Sequence, residues 1–261
     1  MNRVIVITGA SSGIGMAAAR EFLRCKDTVI SLSRRPSVDD VVHVPCDISE
    51  EENVKNAFVL IDERFGHIDL LINNAGYGIS GAAEYTDIES AKRLFDVSYF
   101  GLMSCVKYAL PLLRKSRRPM IINISSLAAV MPVPFQSVYS AAKAAVCAQT
   151  LCLANELRSF GIRVCALLPG DVKTAFTEKR DKSICGSELY GDAISRAVGK
   201  MESDEKNGML PEIIARSLVR LSGKKHPKPL STVGTGYKLL FILSKLLPVR
   251  TVNYLEGRLY G

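Results

Sequence analysis

Apolar residues run almost without interruption through RVIVITG at the start of the chain, then return every three or four positions through GIGMAAAREFLR. The first pattern predicts a strand covered on both faces, the second an amphipathic helix packed against it. The alternation repeats downstream. TVISLSR and VVHVPCD read as strands, EENVKNAFVLIDERFG as a helix and DLLINNAG as a strand. One long helical segment runs from about 88 to 113, and MIINISS then reads as a strand. YSAAKAAVCAQTLCLANELRSFG follows as a helix and IRVCALLPG as a strand. Short Val/Ile-rich strands joined by helices of crossover length predict an α/β fold with a doubly wound parallel sheet. No repeat or low-complexity tract breaks the pattern, so one domain is expected over 1–261. Residues 1–173 form its core and 174–261 a lid with a C-terminal helical extension. The extension reads as a polar, mobile stretch near 174–208, a helix near 211–222, a final strand near 229–233 and a helical tail.

Composition narrows the class. Of 261 residues, 48% are hydrophobic, which suffices for a sizeable core and argues against disorder. The longest apolar stretch, Tyr237 to Pro248, is interrupted by Lys238 and Lys245, so no transmembrane helix is expected. A strand beginning at Val4 leaves no space for a signal peptide, and a cytoplasmic location is expected. The seven cysteines are odd in number and form no CxxC, as suits core residues in a reducing compartment. His43, His67 and His226 lie in no metal-ligand spacing, so no metal site is expected. The net charge of +8 is concentrated in RKSRR (114–118) and GKKHPK (223–228). Both fall where a helix should end, where cations favour the helix dipole and are solvated. The excess charge also suits an anionic small molecule; no nucleic-acid recognition motif accompanies it, and no nucleic-acid partner is expected.

The chemistry begins at TGASSGIG. Gly9, Gly13 and Gly15 lie between the first strand and the first helix, and Ser11 and Ser12 add hydroxyls. A turn bare of side chains lets a pyrophosphate approach backbone N–H groups at the positive end of a helix. Tight strand–helix packing also selects glycine; the position in the first βα unit favours the nucleotide. The second strand ends in Ser33-Arg34-Arg35 with no carboxylate. Two guanidinium forks and a hydroxyl suit a 2′-phosphate, which favours NADP(H) over NAD(H).

Tyr139 and Lys143 are four residues apart in a small, apolar helix and so share one face. A free phenol ionises near pH 10. An adjacent ammonium is expected to lower that value and bring the tyrosine into range for proton transfer. Ser126, thirteen residues earlier at the end of MIINISS, offers a hydroxyl to a substrate carbonyl.

TGASSGIG, NNAG (73–76), ISS (124–126), YSAAK (139–143) and LPGDVKT (168–174) occur in the order and spacing of the classical short-chain dehydrogenase/reductases. The chain resembles that family over roughly 3 to 175. The resemblance implies a Rossmann-type sheet and hydride transfer between a nicotinamide and a carbonyl or alcohol carbon. It makes Tyr139 the general acid/base, Lys143 its partner and a ligand of the nicotinamide ribose, and Ser126 the orienting hydroxyl. Ile14 joins the glycine-turn residues, Asp47 and Ile48 meet the adenine, and Asn74, Ala75 and Gly76 line the adenosine side. Pro169, Gly170, Val172 and Thr174 hold the carboxamide. One position departs from the pattern: DVSYFG puts Ser98 where the family usually has an asparagine that carries a water-mediated proton relay. A relay rebuilt around one more water is expected.

The substrate region is less informative. Tyr77, Met131, Val133, Pro134, Phe135 and Phe176 are candidates for an apolar pocket, and a lipophilic carbonyl or alcohol is the expected partner. The tail's Leu239, Leu240, Phe241, Leu243, Leu246 and Leu247 suit either a membrane surface or packing at the substrate entrance or a subunit contact. Their distribution nearly all round the helix favours burial against protein, with at most peripheral membrane contact. The tail resembles those of 17β-hydroxysteroid and retinol dehydrogenases and acyl-dihydroxyacetone-phosphate reductases. The resemblance also implies a homodimer or homotetramer built through 88–115 and 137–160. A dinucleotide-binding redox sensor on the same fold is the alternative.

Overall fold

A computed structural model describes residues 2–183 and 185–260. The first half reads β1 (Val4–Thr8), α1 (Gly13–Arg24), β2 (Thr28–Ser33), β3 (Val42–Pro45), α2 (Glu51–Phe65), β4 (Leu70–Asn73) and a short β5 (Ile79–Ser80). There follow α3 (Ile88–Phe95), a π-helical turn (Asp96–Phe100), α4 (Gly101–Leu113), β6 (Met120–Ile124), α5 (Ser137–Glu156) and β7 (Arg163–Leu167). The remainder is β8 (Asp181–Lys182), α6 (Ser187–Tyr190), α7 (Ala193–Lys206), α8 (Pro211–Ser222), β9 (Leu230–Ser231), α9 (Thr235–Leu246) and α10 (Val249–Tyr260).

Seven strands form one parallel sheet in the order β3-β2-β1-β4-β6-β7-β9. The unbroken apolar run in β1 follows from its place at the centre. Val4 and Val6 pack towards α2 and α4, while Ile5 and Ile7 pack towards α1 and α8. Phe22 of α1 is fully buried in the second layer, a burial that contributes about 3 kcal/mol. The strand order reverses between β1 and β4, and the crevice at the carboxyl ends of strands flanking such a reversal is where open α/β sheets bind ligands. The result is a single α/β domain.

Four features differ from the sequence expectation. The long 88–113 segment is broken by the π-helical turn, which adds a residue to the helical repeat and turns Ser98 into the interior. Gly101 then seats α4 against the loop after β3, where a Cβ would lie 2.6 Å from the Ile48 carbonyl.

The polar 174–208 stretch is anchored, because its charges complement one another. The buried Arg180 side chain pairs with Glu205, which also accepts a 2.6 Å hydrogen bond from Thr177. Lys182 pairs with Glu202, and β8 pairs with β5.

The final strand is two residues long rather than five.

The tail is two helices, separated where Leu247 is held extended before Pro248. Phe241 and Val252 are buried, yet Leu239, Ile242, Leu246, Val249 and Tyr254 are exposed, so burial of this segment against its own chain is partial. Among the described residues no helix is long and apolar enough to cross a membrane. Cys46, Cys105, Cys147 and Cys165 are buried; Cys25, Cys152 and Cys185 are exposed.

Candidate active site

A cavity of about 920 Å³ opens along the carboxyl ends of the strands. Gly9, Ser11, Ser12, Gly13 and Ile14 line one part of it. Gly9 and Gly13 have φ of 68° and 55°, a left-handed backbone that glycine adopts without strain. A Cβ on Gly9 would lie 2.9 Å from Ala75 Cα. Gly15 is off the cavity wall; a Cβ there would meet Asn74 Nδ2 and the Gly9 carbonyl at 2.5 Å. Its absent side chain lets α1 press against the loop after β4. Ser12 precedes α1 in extended conformation with no side-chain cap, which leaves first-turn N–H groups for a ligand.

The loop after β4 is pinned by a residue the sequence reading missed. Thr8 Oγ1 accepts hydrogen bonds from Asn74 N (2.9 Å) and Ala75 N (3.0 Å). Asn74 Nδ2 donates to the Thr8 carbonyl at 3.0 Å. A threonine closing a strand just before a glycine turn is the signal that could have found it.

Ser33, Arg34, Arg35, Asp47 and Ile48 also line the cavity. Arg34 is exposed and stands 3.7 Å from Asp47, which accepts hydrogen bonds from the Ser49 N–H and hydroxyl. Ser33 departs from expectation. Its hydroxyl donates to the Arg35 carbonyl at 2.7 Å, so it shapes the arginine loop instead of offering its proton to a ligand. Lys179, from the anchored stretch, donates to Ser12 Oγ at 3.3 Å and adds an unforeseen cation above the glycine turn. A bare, N–H-rich turn beside three cations and no carboxylate at the end of β2 fits a dinucleotide, including one with a 2′-phosphate.

Ser126, Tyr139 and Lys143 meet on the same cavity. The end of β6 and the residue after it hold α5 in two places. Ser125 Oγ donates to the Lys143 carbonyl at 2.8 Å, and Lys143 Nζ donates to the Ile124 carbonyl at 3.0 Å. Behind them, Asn73 Nδ2 donates to Asn123 Oδ1 and Asn123 Nδ2 to Thr150 Oγ1, each at 2.9 Å, a buried chain joining β4, β6 and α5. Lys143 Nζ lies 5.8 Å from the Tyr139 ring centre.

The expected acidification of the tyrosine is not met in this state. Burial pushes the Tyr139 phenol up to about 12, opposed by the neighbouring Ser126 hydroxyl. Burial also pushes Lys143 down to about 8. Desolvation disfavours both ions, and at this separation it outweighs their attraction.

Ser98 is buried behind Gly76, off the cavity wall. A Cβ on Gly76 would lie 3.4 Å from Ser98 Oγ and 3.5 Å from Lys143 Nζ, so the two flank one glycine. Ser98 Oγ has no hydrogen-bond partner among the described residues.

Pro169, Gly170, Val172 and Thr174 line the cavity as well. Gly170 makes room for the Tyr237 ring, which a Cβ would meet at 2.2 Å. Of the apolar candidates, Tyr77, Met131, Val133 and Phe176 line the cavity, with Phe176 edge-on to Tyr139 at 5.7 Å. Pro134 and Phe135 do not; Phe135 turns away to pack on Tyr190 at 5.8 Å. The tail supplies walls the sequence left open, among them Leu240, Leu259 and Tyr260.

Comparison with known proteins agrees with this geometry. A family model described as short chain dehydrogenase matches residues 3–184. The chain is 37% identical to a 3-ketodihydrosphingosine reductase of Bacteroides thetaiotaomicron over 97% of its own length and 96% of the relative's. A short-chain dehydrogenase structure from Streptomyces avermitilis superposes with a TM-score of 0.86 at 25% identity, covering 98% of this chain and 96% of that one. A 3-ketoacyl-(acyl-carrier-protein) reductase from Brucella melitensis, complexed with NADH, gives 0.76 at 26% identity, covering 90% and 98%.

Proposed function

The chain belongs to the short-chain dehydrogenase family, oxidoreductases acting on CH–OH or C=O, and from that premise we propose that it is an NADPH-dependent reductase of lipophilic ketones or aldehydes. The observation that carries the reading is the convergence of Ser126, Tyr139 and Lys143 on one apolar-walled cavity that also contains the glycine turn.

When bound, the nicotinamide supplies the hydride that reaches the carbonyl carbon. Gly9, Ser11, Ser12, Gly13 and Ile14 hold the pyrophosphate, and Arg34 and Arg35 the 2′-phosphate. Asp47, Ile48 and the Asn74–Gly76 loop bound the adenosine. Ser126 donates to the substrate oxygen and fixes its direction. Tyr139 gives its proton to that oxygen as charge develops there, and Lys143 stabilises the phenolate left behind. Ser98 takes the place of the asparagine and holds a water that returns a proton through Lys143. Residues 174–208 act as an anchored wall rather than a flapping lid.

NADP(H) over NAD(H) is supported by the loop after β2, since the Brucella neighbour is complexed with NADH and neighbours do not decide it. The lipophilic class is supported by Tyr77, Met131, Val133 and Phe176 and by the relative named as a 3-ketodihydrosphingosine reductase. Exposed Phe100 of the π-helical turn, Met103 of α4 and Leu151 of α5 support assembly through 88–115 and 137–160, and a single-chain mass by light scattering overturns that assembly. The reading is tested by NADPH consumption with long-chain aldehydes, 3-keto and 17-keto steroids, retinal and 3-oxoacyl thioesters. Silence across the panel refutes it.

A further inference from the structure

The tail carries an outer surface that the cavity does not use. On α9, Leu239, Ile242 and Leu246 are exposed and, spaced three and four apart, share one face of the helix. Phe241, on the other side, is buried against Leu127, Cys147 and Leu168. Lys238 and Lys245 are exposed along one edge of the apolar face, and Lys245 Nζ is drawn back over the Phe241 ring, 4.2 Å from its centre. On α10, Arg250, Tyr254 and Arg258 are exposed at four-residue spacing along one face. Leu246 and Val249, on either side of the break at Pro248, are 75% and 84% exposed, so the fold gives them almost no burial. Single exposed leucines are ordinary; an apolar helix face edged by one sign of charge marks an interaction surface. Residues 235–260 hold four cations and one carboxylate, Glu256, which is buried and unpaired among the described residues. The exposed charge of the tail is therefore entirely positive.

That charge selects the occupant. A second copy seated here across a two-fold axis would bring these cations against their own counterparts, with no exposed tail carboxylate to answer them. An anionic lipid surface answers them and takes the leucines below its headgroups. Each helix has 12 residues, about 18 Å, long enough to lie in the interface and too short to cross a hydrocarbon core of about 30 Å. We propose that α9 and α10 dock the protein reversibly on anionic bilayers. Leu239, Ile242, Leu246 and Val249 insert, while Lys238, Lys245, Arg250 and Arg258 meet the phosphates. Tyr237 and Leu240 of α9 and Leu259 and Tyr260 of α10 line the cavity, so docking brings the tail side of the cavity to the membrane surface. The docking goes beyond the reductase reading and does not rest on it.

The test is flotation of the full chain, without cofactor or substrate, on vesicles of phosphatidylcholine alone or with about one third phosphatidylglycerol. Partitioning onto the anionic vesicles is expected to exceed that onto neutral ones by about tenfold or more, and to fall as salt is raised. Lys238→Gln combined with Lys245→Gln should weaken it about 20-fold, at about fivefold per charge. Leu246→Ser combined with Val249→Ser should weaken it about tenfold or more. Leu60→Ser, at an exposed leucine of α2, should change nothing. All five altered positions are exposed and outside the core, so the variants fold. Failure to float, equal flotation on both vesicle types, or an equal loss in Leu60→Ser overturns the proposal. So does a light-scattering mass that falls from oligomer to single chain in Leu246→Ser with Val249→Ser, since that marks the face as a contact between copies. Flotation needs no turnover, so the two readings separate. A protein that floats but consumes no NADPH loses the reductase and keeps the docking, whereas one that reduces ketones and stays below the vesicles loses the docking alone.

Discussion

Replacing Lys143 by methionine removes one buried cation and keeps most of its stem. The ammonium lies 5.8 Å from the Tyr139 ring centre, where a unit charge pair at an effective dielectric of about 20 is worth about 3 kcal/mol, or about two pK units. The species so stabilised is the phenolate formed as the proton leaves, so Lys143→Met should lose about 100-fold in kcat for carbonyl reduction. The pH profile gives a second readout. Reduction needs a protonated phenol, which Tyr139 remains below about 12, and a charged Lys143, which is present below about 8 and lost above it. Wild-type kcat/KM should therefore fall as pH rises through about 8, and the variant should lack that limb. The assay is NADPH absorbance with a lipophilic ketone on both sides of that pH. A variant within about threefold of wild type, or one that keeps the basic limb, refutes the reasoning.

Arg34→Ala and Arg35→Ala should each raise KM for NADPH about fivefold and leave NADH unchanged, the modest size reflecting exposed guanidinium groups; equal effects on both cofactors contradict the 2′-phosphate assignment. Ser98→Asn should stay within about tenfold of wild type in kcat, and an inert wild type beside an active variant contradicts a relay through Ser98. Glu256 has a folded pKa of about 7 against an ordinary 4.5, so stability should fall as pH rises through that window. Glu256→Gln should then melt higher than wild type above pH 7 by a margin worth up to about 3 kcal/mol, shrinking towards zero in acid; a difference that ignores pH contradicts an unpaired buried carboxyl.

Much of the site was legible because its residues are fixed by local constraints. Gly9 and Gly13 are required by left-handed backbone, and Tyr139 and Lys143 share a helix face, so spacing alone brings each pair together. Six of the sheet's strands, β1 to β4, β6 and β7, were readable from their short apolar runs, down to the two-sided burial of β1. What escaped depends on contacts distant in sequence. Ser98 turns inward through a π-helical turn that periodicity does not mark, and Arg180 finds Glu205 across 25 residues. Ser33 uses its hydroxyl within its own loop, and α10 brings Glu256 to a cavity built mostly from the first two thirds of the chain. The phenol's acidity was misjudged because a sequence shows a neighbouring charge but not the burial that opposes it.

Proton donation by Tyr139 is the claim on which the rest depends, and it is tested most directly by NADPH consumption in wild type and Tyr139→Phe with one lipophilic ketone, alongside NADPH binding by fluorescence. The account predicts turnover in wild type, a loss of about 1,000-fold or more in the variant, and unchanged cofactor binding in both. Turnover that survives loss of the phenol hydroxyl contradicts it.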